Sequence, residues 1–116
     1  MSRIVYRIVV TNPPTDADYM TYEQLGKALD RDDPESVRMR SGYSVYLQFN
    51  HARDRGRRFS WKSNCFVAEY VLSDDDDYEL EQTSRNPKHY TLWCDESLLR
   101  GRERRITPVS KGGEHV

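Results

Sequence analysis

Nothing in this chain approaches the roughly 18 consecutive apolar residues that a bilayer-spanning helix needs, so no membrane segment is expected. The N-terminus lacks the basic and apolar regions of a secretory signal, which makes a cytoplasmic chain the expectation. Cysteine is scarce. Cys65 and Cys94 have no metal-site spacing and read as free thiols packed in strands of a reducing compartment. The three histidines are scattered, and the acidic run Asp74–Asp77 lacks the spaced ligands and turn glycine of a calcium loop, so no metal site is expected. An excess of one charge is missing too. A formal net charge of -1 argues against nucleic-acid binding by overall attraction.

What is present is a small core. Hydrophobic residues make up 36% of the 116 positions and charged residues 32%, so the eight tyrosines and two tryptophans must supply much of the buried area. No repeat or linker divides the chain. Residues 1–110 read as one domain and 111–116 as a flexible C-terminal tail.

Residues 3–10 are rich in β-branched and aromatic side chains and predict a strand, ended by Pro13 and Pro14. Thr21 and Gln24 have the form of a capping box, and Tyr22, Leu25 and Leu29 recur at helical spacing. Pro34 suits the first position of a second helix. Alternation predicts a strand from Tyr43 to Phe49, then a helix capped by Asn50, running to about Phe59 and interrupted at Gly56. Further strands are expected at Cys65–Leu72, Tyr78–Thr83, His89–Cys94 and Arg105–Val109, with a turn at the four aspartates and a short helix at Glu96–Arg100. This order of elements gives an α+β single domain: a twisted, mostly antiparallel sheet, whole or split in two, with two or three short helices.

Chemistry concentrates in a few places. Arg7 on the first strand, beside the rigid Asn12-Pro13-Pro14-Thr15 turn, forms a corner suited to holding an anion. His89, Thr91 and Trp93 share one strand face, where a proton-transfer group and a stacking ring could line a nucleotide groove. Ser44 lies opposite the apolar face of its own strand. Cys94 falls on the other face from His89, which separates that thiol from the nearest base.

Val5-Tyr6-Arg7, Pro13-Pro14 and Gly26, then Tyr43-Ser44-Val45-Tyr46 before a short helix, then Phe66–Leu72, together resemble the ADP-ribosyltransferase toxins of the cholera and pertussis type. The resemblance spans residues 5 to about 109 through short motifs. It implies an ADP-ribosyltransferase-like fold with a groove for NAD or a related nucleotide. Arg7, Asn12, Ser44, Tyr46, Thr91 and Trp93 would be the ligand-binding residues. One extra residue separates Arg7 from the Pro-Pro pair, and the family's Ser-Thr-Ser is absent. The family's glutamate motif does not occur at its expected strand, so His89 or Glu69 would have to act in its place if the chain is catalytic as a transferase or NAD glycohydrolase. Two other readings stand beside this one. The first is a non-catalytic interaction module docking a protein through Arg53, Arg55, Arg57 and Arg58. The second is a small nucleic-acid binder using the two arginine runs, with Tyr43, Tyr46 or Trp61 stacking on bases.

Overall fold

Strand sequences from the two ends of the chain meet at its centre. The computed structural model describes residues 2–21, 23, 24, 26, 34–59, 65–83 and 85–109, with the backbone alone at 35 and 59. In chain order the elements are β1 (Arg3–Val9), α1 (Pro34–Arg40), β2 (Tyr43–Val45), α2 (Phe49–Phe59), β3 (Cys65–Leu72), β4 (Tyr78–Gln82), β5 (Tyr90–Cys94) and β6 (Glu103–Val109). Short 3-10 turns occupy Asp16–Tyr19 and Glu96–Leu98. The antiparallel sheet is split in two, with strand orders β1-β3-β6 and β2-β5-β4. The architecture is α+β.

Alternation along the strands explains the layering. Val5 and Val9 on β1 pair across to Tyr70 and Phe66 on β3, and this face meets Tyr43, Val45 and Leu92 of the second sheet. The opposite face of the first sheet carries Ile8, Cys65, Val67 and Val109, which α2 covers with Phe49 and Ala52. β3 is therefore buried on both faces, and its near-continuous apolar sequence follows from that. Gly56 lets α2 approach closely. A Cβ there would lie 3.3 Å from Cys65 Sγ and 3.4 Å from a Val109 methyl, so this glycine seats the helix instead of interrupting it.

Two expectations change at one place. The strand read as Tyr43–Phe49 ends at Val45, because Tyr46 leaves the second sheet and pairs with Tyr6 on the edge of the first. Two mutual backbone hydrogen bonds, 2.8 and 2.9 Å, hold that crossing. The helix then begins at Phe49, so Asn50 lies in its first turn and not at the cap. The capping box does form: Thr21 N donates to Gln24 Oε1 at 2.8 Å, and Gln24 N to Thr21 Oγ1 at 3.2 Å. The helix expected through Tyr22, Leu25 and Leu29 lies outside the described residues, as do Trp61 and the tail from Ser110. α1 starts at Pro34 as its sequence indicates, and the aspartate run forms the β3–β4 turn, where Ser73 N donates to Asp76 Oδ2 at 2.7 Å. His89 falls one residue before β5, and Glu96–Leu98 forms a single 3-10 turn.

Gly42 fixes how tightly the end of α1 lies on β5. A side chain there would run into Thr91 Cγ2, with Trp93 Nε1 at 3.0 Å and the Leu92 carbonyl at 3.1 Å. Gly42→Ala should therefore cost about 1–3 kcal/mol, as overpacking does in other tightly packed sites. Urea unfolding should show the midpoint falling with an unchanged slope.

Candidate functional site: a cationic cleft beside the His89–Ser44 pair

The anion corner expected at Arg7 is turned inward. Arg7 is 8% exposed and lies between the two sheets, because β1 alternation places it on the same face as Val5 and Val9. Its Nη1 donates to the Asp18 carbonyl at 2.7 Å, and its guanidinium sits 4.9 Å from the Tyr43 ring centroid and 6.0 Å from that of Tyr19. The following loop closes on Asp18, whose carboxylate accepts from Val10 N at 3.0 Å and Thr15 N at 2.9 Å. Asn12 lies exposed in that loop, before the cis peptide to Pro13. Arg7 thus holds its own chain and cannot reach a ligand phosphate.

Four other expected residues do share the outer face of the second sheet, but only part of it is open. Thr91 is buried and bonded to Thr83 through a 2.5 Å hydroxyl contact. Trp93 carries the Arg38 guanidinium 3.7 Å above its ring, and its Nε1 donates to the Arg38 carbonyl at 3.0 Å. Glu79 and Glu81 hold the same arginine from β4, so the indole face expected to stack on a base already bears a cation. Glu69 is elsewhere again, on β3, paired with Arg104 Nε at 2.9 Å. Thr91 and Glu69 thus have their partners within the chain, and Trp93 lines a separate cleft with Asp77, Glu79 and Asp95.

Ser44 and His89 remain, with Tyr46 beside them. Ser44 faces Thr91 across the sheet, which brings its hydroxyl to 3.0 Å from His89 Nε2. Tyr46 packs edge-on against the imidazole, with centroids 5.8 Å apart. His89 backbone N–H donates to the Asn86 carbonyl at 3.0 Å, fixing the turn between β4 and β5. Burial, reinforced by the charge of Arg55, pushes the His89 pKa below its ordinary value. The imidazole is consequently neutral at neutral pH. Its Nδ1 is sealed from solvent and has no hydrogen-bond partner.

His89 and Tyr46 also wall a cleft of about 650 Å³, which the crossing at Tyr46 creates by bringing α2 next to the β4–β5 turn. α2 contributes His51, Asp54, Arg55 and Arg58, and the turn contributes Asn86 and Lys88. Asp54 already carries Arg53 at 3.2 Å and Arg57 at 3.8 Å. Its charge is therefore largely answered on the helix surface. Arg58 and Lys88 have no carboxylate partner among the described residues. A second cleft of about 520 Å³ at the far end of the sheet has the opposite character, with Asp77, Glu79 and Asp95 on its walls.

Lys88 was missed in the sequence, and Arg55 and Arg58 were read as a surface for a protein partner. Their convergence depends on where α2 lies against a turn some thirty positions on, which periodicity does not encode. The adjacent Lys88-His89 after a proline turn was the one local hint. No protein family, curated protein or solved structure matches the chain.

Two outcomes test this placement. Arg7→Met keeps an apolar stem but strips the donor from the Asp18 carbonyl and the cation from two rings, so stability should fall by about 2–3 kcal/mol in chemical unfolding. For His89 the folded-state pKa is depressed, so its contribution is present above the ordinary imidazole value of 6.5 and is lost as pH falls below it. Between about pH 7.5 and about pH 5 the unaltered chain should lose more stability than His89→Gln does, measured by urea titration at each pH.

Proposed function

We propose that the chain binds a phosphate-bearing ligand of nucleotide size in the cleft between α2 and the β4–β5 turn. One observation carries the reading: Arg55, Arg58 and Lys88 line one concave site together with two histidines. Guanidinium and ammonium groups hold phosphate through charge-assisted hydrogen bonds, and a concave wall concentrates their field. NAD and ADP-ribose are the candidates to try first, because each carries two phosphates and because of the resemblance to ADP-ribosyltransferases in the motifs around Tyr6-Arg7 and Ser44. Transfer of ADP-ribose itself has less support. The residues it would draw on occupy three separate places: Arg7 between the sheets, Ser44 on the outer face of β2, and Glu69 paired with Arg104.

The interaction-module reading rests on the same helix. Of its four arginines, Arg55 and Arg58 line the cleft, while Arg53 and Arg57 pair with Asp54 and do not line it. A nucleic-acid reading loses two of its stacking groups, since Tyr43 and Tyr46 are buried.

A titration with ADP-ribose, NAD and nicotinamide, followed by calorimetry and by thermal shift, tests the proposal. The two phosphorylated ligands should bind and raise the melting temperature, and nicotinamide should not. Arg58→Ala with Lys88→Ala should weaken ADP-ribose binding at least about tenfold, with affinity falling further as salt rises, since each charge-assisted bond contributes about 1.5–3 kcal/mol. The melting temperature without ligand should stay unchanged, because both side chains are exposed. Equal binding by the double variant, or no saturable binding at all, would remove this reading.

A further inference from the structure

We infer that Ser44 and His89 form a nucleophile–base pair that takes an acyl group from a phosphate-bearing carrier, an inference that rests on the cationic cleft as the seat of that phosphate. The hydroxyl and Nε2 are 3.0 Å apart, within the reach that proton transfer requires. Ser44 is exposed on the outer face of β2, so a carbonyl carbon can approach its Oγ. His89 is held in place from two further sides, by the Tyr46 ring and by its backbone bond to Asn86. Of the nine residues lining the cleft, His89 is the one that hydrogen-bonds Ser44, so the imidazole joins the serine to the wall that carries Arg55, Arg58 and Lys88.

The chemistry follows from the two nitrogens. With the ring proton on Nδ1, Nε2 accepts from the serine hydroxyl. Oγ attacks the carbonyl carbon, and its proton moves to Nε2. The bond between the carbonyl carbon and the carrier oxygen then breaks. The electron pair leaves with that oxygen, on the phosphate that the cleft cations would hold, and the proton follows it from Nε2. Water then attacks the acyl-serine, gives a proton through Nε2 back to Oγ, and releases the carboxylic acid. Water is the only co-reactant. The sealed, partnerless Nδ1 gives the imidazolium nothing to rest against, so the proton passes onward instead of staying on the ring. The nucleophile's base is thus neutral before the reaction, as a proton acceptor must be.

The test uses the intact chain with acetyl phosphate as substrate and diisopropyl fluorophosphate as label, together with ADP-ribose binding as a separate measurement. The label should be found on Ser44 by peptide mass spectrometry and should be absent in His89→Gln. Ser44→Ala should lower acetyl phosphate hydrolysis at least about 100-fold, in the range that loss of a nucleophile or base produces, while ADP-ribose binding and melting temperature hold. Ser44→Cys should recover part of the acyl transfer, which a hydrogen bond of purely structural value would not allow. Hydrolysis unchanged in Ser44→Ala, or a label found only elsewhere, would overturn the pair and leave the cleft standing so long as ADP-ribose still binds. Loss of the cleft reading would be seen instead as failure of ADP-ribose to bind the unaltered chain.

Discussion

A guanidinium enclosed between two sheets must be satisfied, and much of this fold is arranged to satisfy it. Leaving a charge in a dry interior without partners costs far more than any single contact can return. Arg7 meets most of the requirement with the Asp18 carbonyl and the faces of Tyr43 and Tyr19, which are apolar enough to pack and electron-rich enough to attract a cation, while its Nε is left without a hydrogen-bond partner. Each partner is then tied onward. Tyr43 hydroxyl donates to the Tyr19 carbonyl at 3.0 Å, Tyr19 hydroxyl lies 3.0 Å from that of Tyr70, and it also donates to Glu103. One buried cation thus connects β1, the loop after it, β2, β3 and β6. Burial pushes the pKa of Tyr19, Tyr43 and Tyr70 upward, so all three remain phenols, and the cluster has hydrogen-bond donors to give as well as acceptors.

The same alternation that sends Arg7 inward opens the other side of the second sheet. Tyr43 and Val45 face the core, and Ser44 between them faces out. Across the sheet Leu92 faces the core, while Thr91 and Trp93 face out. The chain's switch of sheets at Tyr46 then decides what lies beside Ser44. Had β2 continued to Phe49, α2 would start farther along the chain and its arginines would not meet the β4–β5 turn. Fold and site therefore share a cause in the Tyr6–Tyr46 pairing.

Much of the fold was legible because it depends on local chemistry. β3, β4 and β5 follow runs of alternating or β-branched residues, and Pro34 starts α1 as proline's fixed φ favours. The break at Tyr46 was not legible. Tyr43 to Phe49 alternates perfectly, and only the tertiary pairing with Tyr6 ends the strand early. The site was legible in part for the same reason. Ser44, Tyr46 and His89 were singled out by type and face, and they do meet. Arg7 and Trp93 were also read by type, and each proved to be the partner of an internal group, Asp18 in one case and Arg38 in the other. Residue type shows what a side chain can bind. It does not show whether the protein has already supplied the partner.

That distinction also explains how a chain of net charge -1 comes to have a cationic cleft. Several of its acids are matched at close range. Asp16 and Glu96 hold Arg100, Asp76 holds Arg102, Glu69 holds Arg104, and Glu79 and Glu81 hold Arg38. Exposed pairs of this kind contribute little stability each, but they cancel one another's field within a Debye length of about 10 Å. What a ligand meets is the remainder. Around α2 and the β4–β5 turn the remainder is positive, since Asp54 is engaged by Arg53 and Arg57 while Arg58 and Lys88 face the cleft. The sum over the chain is uninformative about such a site, because short-range pairing removes charges selectively by position. The uncancelled cations lie next to His89, which burial keeps neutral, and that pairing of an anion's seat with a proton acceptor gives the cleft its chemical direction.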